Sequence, residues 1–266
     1  VLPISRSGGF AFWRVLARRE TRRANDVNYR VRSARTAANL AIVVAGSSGR
    51  QGANVTPKGR TKASGARRRA ILDAALELFL EAGVGDCRVE DLLERAGASV
   101  GSLYHHFGSK QGVAAELYLE ILDEFHAEFL RVLTRHKSAR AGIRAVVQHH
   151  LTWVAANPQR AAFFFQCQEP DVSALCGDRD KKMRRSFLKE CREWLNAAAA
   201  KGEIRKLSPL EFYVLWMGPA LELTRAWLMN NQGQWSWMNA EQRSAEALLS
   251  SKKTLADAAW QALSAG

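Results

Sequence analysis

From Arg67 onward, apolar residues recur at helical spacing through almost the whole chain. Ile71, Leu72, Ala75, Leu78, Phe79 and Ala82 predict an amphipathic helix closed by Gly83. Val89, Leu92, Leu93 and Ala96 predict a short second helix, stopped by Gly97, which is free to take the left-handed conformation that ends helices. Ser99 is placed to cap a third helix, with Leu103 and Phe107 inward and Ser102, Tyr104, His105 and His106 mostly outward. Ser109 caps the next, a long helix from Lys110 to about Thr134 with Leu117, Ile121, Phe125, Phe129 and Val132 inward. The pattern continues through Ala141–Ala156. Asn157-Pro158 then opens a helix that ends near Glu169-Pro170, and a loop through Gly177 leads to a long helix whose Met183, Phe187, Leu188, Cys191, Trp194, Leu195 and Ala198 are expected to share a face closed by Gly202. Ser208 and Glu211 form a capping box with Pro209 between them. The helix from Pro209 to about Asn230 is apolar on nearly every side, and Gly218-Pro219 should kink it. A last helix is expected over about Asn239–Leu263. No strand-like alternation and no internal repeat is visible, so the expected fold is all-α.

Charge divides the chain unevenly. Residues 1–66 hold thirteen Lys or Arg against Glu20 and Asp26, so most of the formal +13 sits there and the remainder is close to neutral. Residues 1–64 read as a disordered basic leader, 65–111 as a three-helix unit and 112–266 as a larger helical body. For the leader three readings stand open: upstream sequence translated from a start other than the native one, such as Val55; a basic arm that adds non-specific DNA affinity; and an Arg-rich targeting peptide. No apolar run approaches the roughly 18 residues of a membrane span. The four cysteines, Cys87, Cys167, Cys176 and Cys191, show no metal-ligand spacing and read as reduced, mostly buried cytosolic thiols. No nucleophile elbow, phosphate loop, HExxH or paired-carboxylate spacing is present, so no catalytic residue, metal or cofactor is expected.

Helix, turn, helix and capped third helix over Val89–Lys110 form the pattern of a helix-turn-helix, whose second helix enters the major groove of DNA. Arg67, Arg68 and Arg69, at the expected start of the first helix, oppose its dipole, a cost that a nearby phosphate backbone would offset. The Tyr104 hydroxyl, His106 and Lys110 suit phosphate oxygens. Ser102 and His105 can hydrogen-bond phosphates or base edges, and Val100 can touch a thymine methyl.

RRAILDAALELFLEAGV followed by VEDLLERAGASVGSLYHHFGSKQGV resembles the DNA-binding domain of the TetR/AcrR (tetracycline-repressor-like) transcriptional regulators, from about Arg67 to Tyr118. The resemblance places DNA contacts on Val100, Gly101, Ser102, Tyr104, His105, His106 and Lys110, with Ser99, Arg67 and Arg68 beside them. Two positions depart from the family pattern. Arg88 stands where a Thr or Ser commonly caps the second helix, leaving Asp86 or Cys87 to serve. Gly101 removes a side chain that often reads bases, which shifts specificity toward shape and phosphate contacts. The resemblance further implies a homodimer through the last two helices, about 209–230 and 239–263, reading a palindromic operator in double-stranded DNA from the cytoplasm. It implies a repressor released by a small-molecule effector held among the central helices. Trp153, Phe164, Trp194 and Trp216 are the aromatic candidates for that pocket, and Gln148, His149, Gln166 and Glu222 the polar ones. An alternative is a thiol sensor that uses Cys167, Cys176 or Cys191.

Overall fold

The computed structural model describes residues 58–167, 170–231, 239 and 241–265. The leader expected over 1–64 lies outside the described residues except for its last seven, which are helical. The first helix, α1, spans Lys58–Asp86. The stretch read as linker up to Gly65 therefore joins it, because Lys, Arg and Ala hold a helix well and no proline interrupts them. Gly83 ends the regular part with φ 78° and ψ 159°, a conformation that suits a residue without Cβ.

Helices α2 (Val89–Ala96), α3 (Val100–Phe107) and α4 (Lys110–Thr134) follow as the periodicity predicts. The N-cap of α2 is Arg88, in extended backbone and without a side-chain cap bond. The expectation that Asp86 or Cys87 fills this role is corrected: Glu90 and Asp91 in the first turn oppose the dipole charge instead. Leu92, Leu103 and Leu117 are fully buried against Ile71 and Leu72 of α1, which closes the three-helix unit around a single apolar centre. No linker separates this unit from the body, since residues 111 and 112 lie in the first turn of the continuous α4.

The body consists of α5 (Ala139–Ala156), α6 (Pro158–Gln166), α7 (Pro170–Ala200) and α8 (Pro209–Asn231), then a 3-10 turn at Glu241–Arg243, α9 (Ala245–Ser250) and α10 (Lys252–Leu263). α4 packs against α5 and α7, and α10 lies across α5 and α8. Two expectations change here, at Gly177 and in the last helix, while α8 forms as the single element expected. Gly177 sits not in a loop but at a kink inside α7, with φ 41°. Helix α8 runs on through Gly218-Pro219 as one element. The last helix is divided at Ser251: the Ser250 hydroxyl donates back to the Ala247 carbonyl at 2.8 Å and the Ser251 amide bonds the Leu248 carbonyl, tightening the turn. The cap signals at Ser99, Ser109 and Ser208 hold, whereas the Asn157 side chain donates back to the Trp153 carbonyl and caps nothing in the helix it opens. In the capping box the Ser208 amide donates to Glu211 at 2.8 Å and the Glu211 amide to the Ser208 hydroxyl at 3.3 Å. No helix among the described residues is long and apolar enough to cross a membrane.

Candidate nucleic-acid interface

The turn between α2 and α3 is built from local chemistry. Gly97 takes φ 57° and ψ 36°; its amide bonds the Glu94 carbonyl at 3.2 Å and the Ala98 amide bonds the Leu93 carbonyl at 3.0 Å, so the last carbonyls of α2 are satisfied. Ser99 then caps α3 by accepting from the Ser102 amide at 3.3 Å. These bonds fix the angle at which α3 leaves α2. Leu103, fully buried, anchors α3 from beneath, and the half-buried Phe107 supports its end. The opposite face is left to solvent: Val100 is 56% exposed and Tyr104 54%, with Gly101 and His105 also exposed and Ser102 half-buried. A convex helix face carrying a hydroxyl, a phenol, an imidazole and a valine methyl pair fits the major groove in size and chemistry.

His106 turns partly inward, with Nε2 3.3 Å from the Ser64 hydroxyl of α1. Its pKa is lowered, by burial first and then by His105, Arg68 and Arg67, which keeps it neutral at pH 7. The Arg67–Arg69 run lies well inside α1 rather than at its start, so its conflict with the helix dipole is removed. Arg67 is the exposed member. Arg68 bonds Glu116 of α4 at 3.1 Å, lies 3.8 Å from Glu120 and sets its guanidinium carbon 5.6 Å from the Phe107 ring centre. Arg69 pairs with Asp73 at 2.8 Å and with Glu120 at 2.5 Å. Lys110 is also engaged: its ammonium donates to the Gly85 carbonyl at 2.9 Å and the Cys87 carbonyl at 2.5 Å. It thereby staples the α1–α2 connection to the start of α4.

Two features of the corner between α3 and α4 escape sequence reading. Ser109 caps α4 through the Gly112 amide at 2.9 Å. A Cβ on Gly112 would drive into the Phe107 carbonyl, 3.0 Å from its carbon and closer still to its oxygen. Only glycine permits that approach, and the one hint in the sequence is a glycine three residues after a cap. The second feature is the pair Glu116 and Glu120, spaced i,i+4 on α4. Arg160 of α6 lies 3.6 Å from Glu120 and also bonds Glu124, while Arg179 of α7 bonds Glu116. Against the cost of burial, Arg179 and Arg68 hold the Glu116 carboxyl below its usual range.

Of the eight residues expected around an effector, three aromatic ones are linked through one cluster of rings. Trp153 and Phe164 meet in the rings around Phe125. Trp216 joins the same rings through Phe129, which lies 6.2 Å from Phe125; it meets Phe129 edge-on and donates to the Ile143 carbonyl at 3.1 Å. Trp194 lies against Gly142. Glu222 is paired with Arg225, and Gln148 and His149 are half-buried. The Gln166 side chain lies outside the described residues. A surface cleft of about 430 Å3 between α1, α6 and α8, floored by Leu80, Ala162, Trp227 and Leu228, is lined by none of the eight. The thiol-sensor alternative finds no support. Burial pushes Cys176 up to about 11 and Cys191 up to about 12, so neither forms the reactive thiolate at neutral pH.

Comparison with known proteins agrees with this geometry. Residues 71–117 match the sequence model described as bacterial regulatory proteins, tetR family. The HTH-type transcriptional repressor KstR2 of Rhodococcus jostii (strain RHA1) is 31% identical over 108 residues, 41% of this chain and 53% of that protein. The HTH-type transcriptional regulator RutR of Escherichia coli (strain K12) is 32% identical over 119 residues, 45% of this chain and 55% of that protein. The chain thus spans about half the length of these two relatives. Among solved structures, a putative tetR family transcription regulator from Shewanella sp. PV-4 is similar with TM-score 0.55 and 23% identity, over 74% of this chain and 98% of that one. The transcriptional regulator FadR from Bacillus subtilis in complex with stearoyl-CoA is similar with TM-score 0.57 and 18% identity, over 72% and 96%. At these identities the structures speak for the fold alone. Residues 71–117 thus carry the sequence pattern of the tetR family of bacterial regulatory proteins, and the helical fold around them is shared with a solved tetR family regulator.

Proposed function

We propose that this protein is a cytoplasmic DNA-binding transcriptional regulator, a repressor that grips a two-fold operator as a homodimer and lets go when a small molecule binds its body. The observation that carries the reading is the outward face of α3, where Val100, Ser102, Tyr104 and His105 project from a helix anchored by Leu103 and fixed at its start by Gly97 and Ser99. With Gly101 bare, few side chains reach base edges, so phosphate contacts and DNA shape carry much of the specificity. Arg67 and Tyr104 supply such contacts, whereas the ion pairs of Arg68 leave it a supporting role. Lys110 reaches a phosphate only at the expense of its bonds to Gly85 and Cys87.

Dimerisation is supported by α8. Leu210 is 70% exposed, Tyr213 47% and Val214 49%, side by side on one face of a helix whose other face is core. The apolar positions of α10, Ala256, Ala259 and Leu263, are buried within the chain, so α8 contributes the larger part of the contact. A ligand-responsive body is favoured by the FadR of Bacillus subtilis, similar in fold and solved in complex with stearoyl-CoA.

The test is to select fragments of the source genome with the purified protein and measure affinity for the recovered DNA by fluorescence anisotropy across a salt series. Selective binding with a steep salt slope is expected, because each phosphate neutralised adds about 0.9 to the slope. Equal affinity for recovered and random DNA refutes the operator reading, and a monomer by sedimentation in the presence of that DNA refutes the dimer.

A further inference from the structure

Helix α5 carries two deeply buried polar side chains with unsatisfied atoms. His150 is 2% exposed and Trp153 7%. Nε2 of His150 meets the Thr224 hydroxyl of α8 at 2.9 Å, but its Nδ1 has no partner, and neither has Nε1 of Trp153. Leaving such a group dry and unbonded is costly, so a protein rarely keeps two together without a use for them. They stand three residues apart on one helix, and hence on the same face. Both rings meet Phe125 of α4 edge-on, at 5.8 Å for His150 and 5.6 Å for Trp153.

The rings above them are incompletely covered. Tyr118, Phe125 and Phe164 are each half-buried. Tyr118 stacks on Phe164 at 5.2 Å, and Phe164 on Phe125 at 6.4 Å. A row of half-buried rings thus leads from Tyr118 through Phe164 to Phe125, which both unsatisfied side chains meet. Burial depresses the imidazole of His150 to about 4, and the neighbouring His149 adds to the effect. His150 is therefore neutral at pH 7, and among the described residues no cation is paired with it to offset a buried anion; Arg184 bonds the Tyr118 hydroxyl instead, at the other end of the stacked rings. Trp153 can only donate. His150 Nδ1 donates as well when the Thr224 hydroxyl donates to Nε2.

We propose that His150 and Trp153 are the polar end of a ligand site covered by Phe125 and Phe164, which takes a mainly apolar molecule bearing a neutral carbonyl oxygen, as in an ester, thioester, amide or ketone. The carbonyl accepts from the two nitrogens and the apolar part lies along the stacked rings. That this ligand acts as the effector rests on the regulator reading above. The site itself does not.

Two carbonyl probes of different shape, methyl decanoate and cyclododecanone, are compared with the hydrocarbons undecane and cyclododecane and with the decanoate anion, using the full chain. The readout is the indole N–H resonance of Trp153 in nitrogen-15 spectra, together with affinity. At least one carbonyl probe should move that resonance downfield, which neither hydrocarbon does, and decanoate should bind more weakly than its methyl ester. Trp153→Phe and His150→Asn should each weaken carbonyl-probe binding about tenfold while leaving hydrocarbon binding unchanged. If Trp153→Phe fails to fold, the wild-type contrast between carbonyl and hydrocarbon decides alone. An unmoved resonance with both carbonyl probes overturns the proposal, since a sealed water or the Phe125 ring face then satisfies the indole. So does tighter binding of decanoate than of its ester. Operator affinity without probe is measured in parallel. Intact DNA binding with an unmoved resonance sinks the site and spares the regulator. A Trp153-dependent shift in a protein that binds no DNA does the reverse.

Discussion

Replacing Gly112 by alanine tests the geometry on which the proposed DNA recognition depends. The new methyl would lie 3.0 Å from the Phe107 carbonyl carbon and closer to its oxygen, where carbon atoms normally keep about 3.5–4.0 Å. The obstacle is main chain, so no side-chain rotation relieves it. Phe107 ends α3, which Leu103 holds in the core, and Gly112 lies in the first turn of α4, held by Val113 and Leu117. The corner must open, and opening stretches the 2.9 Å bond from the Gly112 amide to the Ser109 cap. Overpacking costs about 1–3 kcal/mol and a lost N-cap about 1 kcal/mol, so Gly112→Ala should destabilise by about 2–4 kcal/mol. Gly101→Ala is the control, since its Cβ would meet nothing nearer than the Ser99 hydroxyl at 4.0 Å. Inside a helix that exchange stabilises by up to about 1 kcal/mol. Urea unfolding measures both, and anisotropy with the recovered operator shows whether Gly112→Ala loses DNA affinity while still folded, as a displaced α3 requires. A Gly112→Ala protein within about 0.5 kcal/mol of wild type and with unchanged DNA affinity would falsify the close approach.

Four further outcomes are expected. Tyr104→Phe should weaken operator binding by a factor of about 3–10 with no change in unfolding midpoint, because the ring is exposed and only a hydroxyl contact is lost; equal affinity removes Tyr104 from the interface. Lys110→Ala should cost about 1–2 kcal/mol in urea unfolding by freeing the Gly85 and Cys87 carbonyls, whereas a lower salt slope at full stability would make Lys110 a phosphate contact instead. Glu120→Gln should destabilise by about 1–2 kcal/mol and less in high salt, since Arg68, Arg69 and Arg160 surround that carboxylate; no salt dependence would mean the cluster is electrostatically idle. Stability should also fall as pH drops from 6.5 toward 4. Unfolded His150 takes a proton in that window and the folded imidazole, depressed to about 4, does not, so its contribution is about 1.4 kcal/mol per pH unit; His150→Gln should flatten the unfolding curve there.

The helices were legible because their signals are local. A period of 3.6, a serine before an apolar run, and Ser208 with Glu211 each act over a single turn, and the corresponding bonds are present. What was not legible depends on a partner distant in sequence. Arg68 reads as a phosphate ligand until Glu116, 48 residues on, is seen beside it. His149 and His150 look alike in the sequence, and only the position of Phe125 and Thr224 decides that the second is buried. The clash that reserves Gly112 for glycine involves the main chain of another helix, which no side-chain pattern reports. Gly177 misleads for the opposite reason: glycine permits a break, but the flanking residues are helical on both sides and the chain only kinks.

The charged cluster on α4 changes what the arginines of α1 are for. Glu116 and Glu120 receive Arg68 and Arg69 from the DNA-binding unit on one side, and Arg160 of α6 and Arg179 of α7 on the other. Each pair alone is partly exposed and worth little. Together they make two carboxylates the common partners of three helices besides their own, and Arg68 extends the contact to α3 through the Phe107 ring. A shift of α6 or α7 along α4 must therefore break bonds to these carboxylates or drag them from the arginines of α1. Phe164, which covers the proposed ligand site, belongs to the same short helix as Arg160. A ligand that displaces the Phe164 ring thus acts on an element already bonded to the carboxylate that holds Arg69. The arginines that the sequence offers to DNA serve, in the folded chain, to join the reading head to the part of the body where a ligand would be felt.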